Sequence, residues 1–178
     1  MLGGLDGNIH RMKEEHARAV DSVREAIASL GSLSVDPTSA ENIEQQYAEE
    51  GFEMTEWLRS FLDSYEGLTI RYPFMNRVCS LSTTVEACLE APHATPRSMR
   101  IYSKRIGIPV LPVGAAFETE DSLLLARNGD FLFASDAGIQ WFAHGFESSA
   151  RALVTGDWDR TFHSTTSATG ETLAHLLR

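Results

Sequence analysis

Apolar residues Ile9, Met12, Val20, Val23, Ile27 and Leu30, with His16 on the same stripe, recur at intervals of three and four. This spacing predicts an amphipathic helix over residues 8–30, with Gly31 placed to end it. A lone histidine on such a stripe reads as a packed rim residue, and His16 is assigned to no site. The run SLSVDPTSAE that follows reads as a polar connector. It closes on a helix start signal, Thr38 as cap with Glu41 three residues later, and that helix is expected to run to Glu50 and stop at Gly51. In FEMTEWLRSFLDSYEGL the positions Trp57, Leu58, Phe61, Leu62 and Tyr65 make one apolar face, and Gly67 followed by Leu68 suits a left-handed C-terminal cap.

Beyond Gly67 the period changes. LTIRYPF and RVCSLS are short, rich in β-branched and aromatic residues and bounded by turn formers, so both are expected as strands. Thr83 with Glu86 offers a second capping box for a short helix before Pro92. ATPRSMRIYSKRIG predicts another helix, with Thr95 as cap, Pro96 at its first position, and Met99, Tyr102 and Ile106 inward before Gly107. Pro109 and Pro112 cannot donate ladder hydrogen bonds, so IPVLPVG reads as an extended edge or lead-in segment and not as a central strand. SLLLARNGDFLFA carries the strongest local signal, two apolar runs joined by Asn128-Gly129, which predicts a hairpin with a type I′ turn. GIQWFAHGF supplies a further strand with Trp141 and Phe142 on opposite faces, and ESSARALVTG a closing helix with Ala150, Leu153 and Val154 inward. A Ser/Thr-rich tail follows, with helical spacing at ETLAHLL.

Charge sharpens this outline. The chain of 178 residues carries a net charge of -10, and most of its acidity lies in the first third. Between Asp36 and Glu66 the only base is Arg59. Such a segment is either a solvated helical face that keeps the protein soluble or a surface that attracts a basic partner. Direct binding of DNA or RNA phosphates is disfavoured in that field. Arg97, Arg100, Lys104 and Arg105 form the one basic cluster, which reads as a solvated helix face because nothing glycine-rich precedes it. No apolar run approaches the length of a membrane span, and the opening MLGGLDGNIHRMKEEH lacks the pattern of a secretory leader, so a cytoplasmic location is expected. The cysteines, Cys79 and Cys88, fit a reducing compartment and make neither a disulfide framework nor a metal pattern.

Catalytic chemistry is not legible. The six histidines have neither the spacing of a zinc protease helix nor that of a zinc deaminase, so no metal or cofactor is expected. Gly114 belongs to no phosphate-binding glycine motif. Cys79 or Cys88 with His93 as base stays open as a nucleophile pair, because sequence does not fix spatial proximity.

The order of the elements and four phrases along residues 45–160 are similar to one family. WLRSFLDSYEGLTIRYP, IYSKRIGIPVLPVG and DSLLLARNGDFLFASDAGIQWFAHGFESSARALVTGDW together resemble the SUKH superfamily, most closely its third family. A helix ending in Phe-Leu-x-x-Tyr/Phe-Gly-Gly-Leu is matched from Phe61 to Leu68, and Leu-Gly-x-x-Leu-x-Pro-Val-Gly from Ile106 to Gly114. The turn and strand Gly-Arg-Val-Tyr is matched from Gly129 to Phe133, and the closing helix from Glu147 to Gly156. Glu66 stands where the family has the first glycine of Gly-Gly-Leu, and the Gly-Trp phrase common near the family's N-terminus is missing.

The resemblance implies an α+β fold, a bent and mostly antiparallel sheet packed against helices, here with an extra long N-terminal helix. It divides the chain into that helix and connector (1–36), a SUKH-like domain (37–160) and the tail (161–178). Gly67, Leu68, Pro112, Val113, Gly114, Gly129 and Gly156 are then structural motif positions. The function implied is that of an immunity protein, not an enzyme, which neutralises a cognate bacterial polymorphic toxin, a nuclease or nucleic-acid deaminase, by stoichiometric occlusion. Such a toxin is basic at its active face. The contact candidates are therefore Glu41, Glu44, Glu49, Glu50, Glu53 and Glu56, with Trp57 or Tyr65 as an aromatic anchor if exposed. A regulatory adaptor that holds another protein, and a cysteine-dependent enzyme, are the alternative readings.

Overall fold

The structure, a computed structural model, describes residues 3–36, 42–118 and 120–163. Helix α1 (Gly3–Ile27) leads into strand β1 (Ser32–Val35), and helices α2 (Ile43–Glu49) and α3 (Glu56–Tyr65) follow. The hairpin β2 (Leu68–Phe74) and β3 (Arg77–Ser82) comes next, then α4 (Val85–Glu90) and α5 (Pro96–Ile106). Strands β4 (Val110–Ala116), β5 (Asp121–Ala126), β6 (Asp130–Ser135) and β7 (Gly138–His144) run consecutively before α6 (Phe146–Thr155) and the two-residue β8 (Phe162–His163). All eight strands pair antiparallel in chain order, so the sheet is a meander from which helices leave after β1, β3 and β7. The α+β architecture expected from the sequence is present. The tail helix at ETLAHLL and the Thr38–Glu41 capping box lie outside the described residues.

One core joins the layers. Val20, Val23 and Ile27 of α1 share it with Leu58 and Phe61 of α3, Ile70 and Tyr72 of β2, Leu123 and Leu124 of β5, and Leu153 of α6. The first 36 residues thus contribute a helix and a strand to the same unit. Strand β2 keeps the period of two, with Leu68, Ile70 and Tyr72 buried and Arg71 and Pro73 exposed. Strands β4, β5 and β6 are buried almost throughout, as expected where helices or chain cover both faces.

Several local expectations are corrected. Helix α1 ends at Ile27, because Ala28 turns to a φ of 47°, and Met12 and Leu30 of the expected stripe are exposed. The early stop lets the chain enter β1. Gly31 then passes so close to the sheet that a Cβ there would lie 3.0 Å from the Arg71 carbonyl oxygen. SLSV of the expected connector is therefore an edge strand, pairing with β2. The cap of α4 is Thr84, whose hydroxyl accepts from the Ala87 amide at 3.3 Å, and not Thr83. Buried Thr83 instead accepts from the Leu68 amide at 3.0 Å and donates to the Tyr65 carbonyl oxygen, which fastens the end of α3 to the start of β2.

The proline segment also departs from its reading. Strand β4 is internal to the sheet, with β3 and β5 as neighbours. Only Ala115 and Ala116 pair with β3, however, so the proline half has a strand on one side alone and its missing donor costs no ladder bond there. The register to β5 shifts between Pro112 and Gly114, leaving Val113 as the extra residue of a bulge. The β5–β6 connection is not a two-residue type I′ turn. Gly129 alone has positive φ, 92°, and donates its amide to Ala126 at 2.9 Å, which describes a three-residue loop with a glycine bulge. Asn128 braces that loop, donating to Asp130 Oδ2 at 2.7 Å and accepting from the Asp130 amide at 3.2 Å.

Candidate functional site

The acidic segment folds as two short helices and a tight connector. Helix α2 has seven residues and one buried side chain, Tyr47. A helix this short does not persist alone, so docking must hold it. The Tyr47 hydroxyl donates to the Pro112 carbonyl oxygen at 3.0 Å and lies 3.4 Å from Cys88 Sγ, while its ring meets Phe52 edge-on. Helix α3 starts at Thr55, which accepts from the Leu58 amide at 3.3 Å, and buries Leu58, Phe61 and Leu62. Its remaining faces are left for charge.

Glu44, Glu49, Glu50, Glu53 and Glu56 are all exposed, and Glu41 lies outside the described residues. Glu44 receives a hydrogen bond from the Arg59 guanidinium at 3.1 Å, an exposed pair that ties α2 to α3. Glu49 accepts from Gln45 at 2.7 Å. Glu50, Glu53 and Glu56 form no ion pair among the described residues. The acidic surface extends to α1, which packs on α3. Burial raises the Asp63 carboxyl above the usual carboxylate range, Arg59 opposes this and Glu15 of α1 adds to it.

Helix α3 also borders a cleft of about 350 Å³ that the sequence did not reveal. Trp57, Ser60 and Ser64 border it from α3, Arg127 from the β5–β6 loop and Glu147 from the first turn of α6. Its aromatic lining includes Phe61, Tyr65, Phe131 and Phe146, with Phe61 and Phe146 edge-to-face at 5.5 Å. The Tyr65 hydroxyl donates to Glu147 Oε1 at 2.6 Å. Burial and that carboxylate both raise the phenol pKa, so Tyr65 stays a donor. Trp57 and Tyr65 are half-buried: each packs on the core and each also faces the cleft. Three chain-distant segments build this place, and the only trace of it in the sequence is the aromatic stripe of α3.

The nucleophile and base left open in the sequence, Cys79 or Cys88 with His93, are placed as buried thiols and a histidine with other partners. Cys79 and Cys88 are both buried, and burial pushes the Cys88 thiol up to about 12, against the Tyr47 contact. His93 is engaged elsewhere, Nδ1 at 3.3 Å from the Tyr102 hydroxyl and Nε2 at 3.3 Å from Asp136. Among the described residues no group of three or more His, Cys, Asp or Glu is placed to hold a metal ion. No described helix is long and apolar enough to cross a membrane.

The motif residues occupy junctions. Gly67, with φ of 79°, ends α3 and Leu68 begins β2; Pro112, Val113 and Gly114 make the β4 bulge; Gly129 closes the β5–β6 loop; Gly156, with φ of 72°, caps α6. No protein-family model matches this chain, and no curated protein or solved structure matches it either.

Proposed function

We propose that this protein is a non-catalytic binding domain that neutralises a basic toxin inside the producing cell, as the resemblance to SUKH immunity proteins implies. The observation that carries the proposal is the set of exposed, unneutralised carboxylates, Glu50 and Glu53 on the α2–α3 connector and Glu56 at the start of α3, the helix whose half-buried Trp57 and Tyr65 border a cleft. An enzyme that handles nucleic acid needs a cationic groove, and a carboxylate surface both steers that groove into contact and covers it. Trp57 and Tyr65 fit the role of anchors, since interface energy concentrates in aromatic side chains seated among groups that exclude water. The four phrases on which the resemblance rests fall at the α3–β2 junction, the β4 bulge, the β5–β6 loop and α6.

The test is co-expression with the toxin encoded beside this gene, followed by kinetic binding measurements. The quadruple variant Glu49→Lys, Glu50→Lys, Glu53→Lys and Glu56→Lys is expected to slow association by at least about tenfold at low salt and to abolish protection. Trp57→Ala is expected to act mainly on the dissociation rate. Full protection by the quadruple variant, or binding to that toxin no tighter than to an unrelated nuclease, overturns the proposal.

A further inference from the structure

Helix α5 presents four cations, and no ion pair within the described chain uses them. Arg97, Arg100 and Lys104 are exposed, Arg105 is half-exposed, and Ile101, 45 % exposed, sits among them. Arg11, Arg18, Arg24, Arg59 and Arg77 each have a carboxylate partner, and Lys13, Arg71, Arg127 and Arg151 form no ion pair among the described residues either, but only on α5 do four such cations share one helix. Helix stability accounts for Lys104 and Arg105, which lie in the last turn where the helix dipole favours positive charge. It does not account for Arg97, in a first turn that contains no acid, where the same dipole opposes a cation. The position of Arg97 is a local cost, and a partner outside the helix would offset it.

The acidic surface abuts this face. A Cβ on Gly51 would stand 3.4 Å from the Pro96 ring, so the α2–α3 connector carrying Glu50 and Glu53 touches the start of α5. The two charge sets adjoin without pairing inside the chain. A surface whose positive and negative halves meet along one line is complementary to itself under a twofold rotation about that line.

We infer that two copies of this chain associate through this two-signed surface, α5 of each copy lying on the α2–α3 carboxylates of the other. The inference goes beyond toxin binding. Self-association and capture of a basic partner draw on the same glutamates, so they exclude each other. The net charge of -10 makes copies repel at long range. At about 0.1 M salt that repulsion is screened beyond roughly 10 Å, while pairs in contact are less affected, so association should be strongest there and fall at about 1 M.

Sedimentation velocity of the full chain, up to hundreds of micromolar, tests this. The wild type is expected to move toward dimer mass at about 0.1 M salt and back to monomer at about 1 M. A variant with Arg97→Glu, Arg100→Glu and Lys104→Glu should be monomeric, as should one with Glu49→Lys, Glu50→Lys and Glu53→Lys. Mixing the two reversed variants should restore the dimer, because both halves of the twofold contact regain opposite signs, and this separates charge pairing from misfolding. A wild type that stays monomeric throughout overturns the inference. So does a dimer that survives either reversal, or a mixture that fails to associate.

Discussion

Replacing Tyr47 with Phe removes one oxygen from the centre of the molecule and nothing from its shape. Tyr47 is fully buried, and its hydroxyl reaches from α2 to the Pro112 carbonyl oxygen, at the bulge of β4. The substitution keeps the edge-on contact with Phe52 and deletes the donor to a buried acceptor. A net hydrogen bond is worth about 1 kcal/mol, but an orphaned buried acceptor costs about 1–3 kcal/mol, so a loss of about 2 kcal/mol is expected. With a urea dependence of about 2 kcal/mol per molar, the unfolding midpoint should fall by about 1 M at unchanged slope. Tyr47→Ala should cost more and release α2, since Tyr47 is the one buried residue of that helix. Cys88, in contact with the Tyr47 hydroxyl, would then react with a thiol reagent under native conditions, where the wild-type thiol is protected. A Tyr47→Phe midpoint indistinguishable from wild type would refute the assignment of this bond as the tie between α2 and the sheet.

Other positions yield separate tests. Gly114→Ala places a methyl group inside the contact distance of the Ser82 carbonyl oxygen, backbone that cannot turn aside, and should cost about 3 kcal/mol or prevent folding; wild-type stability would show that β3 and β4 separate easily. Thr83→Val keeps the shape of a buried side chain but strands the Leu68 amide and the Tyr65 carbonyl, for an expected loss of about 2–4 kcal/mol by urea titration. Burial raises the Asp121 carboxyl to about 6, with Glu120 and Asp136 adding and His93 opposing. A folded pKa above the unfolded one means that Asp121 favours the native state most below about pH 4 and loses that contribution as pH rises through about 6. Asp121→Asn should therefore stabilise at about pH 7.5, by about 1 kcal/mol after discounting for its partial exposure, and have little effect at about pH 4. An equal change in Tm at both pH values would exclude an ionisation effect.

How far the sequence carries depends on how local each determinant is. Strands β2 and β3 and the caps Thr55, Thr95, Gly107 and Gly156 obey rules that act within a few residues. β2, β3, the α5 caps Thr95 and Gly107, and the inward face of α6 were legible, whereas the Thr55 cap was not singled out. The errors occur where a distant segment decides. Thr83 and Thr84 both suit a cap, and the choice falls to Thr84 because the amide of Leu68, fifteen residues earlier, claims the Thr83 hydroxyl. Pro112 looks incompatible with an internal strand until the short overlap of β3 with β4 leaves its side unpaired. Asn128-Gly129 signals a hairpin correctly, yet the burial of Asp130 and its bond to Asn128 accompany a longer loop. The same logic hides the cleft, whose walls come from α3, the β5–β6 loop and α6.

The acidic surface, by contrast, was readable as composition, and its placement shows why composition alone was ambiguous. A solvated face needs only exposure. Glu56 sits on α3, which is seated in the core through Leu58, Phe61 and Leu62, whereas Glu44 and Glu49 sit on α2, which has the one buried side chain Tyr47 and its bond to the Pro112 carbonyl. Few attachments leave such a segment at the low end of local stability, where binding elements are commonly drawn from. A partner that orders α2 would therefore protect its amides from hydrogen exchange beyond the residues it touches. A merely solvated face predicts no such spread, and protection confined to contacting residues would return the glutamates to the role of solubilising charge.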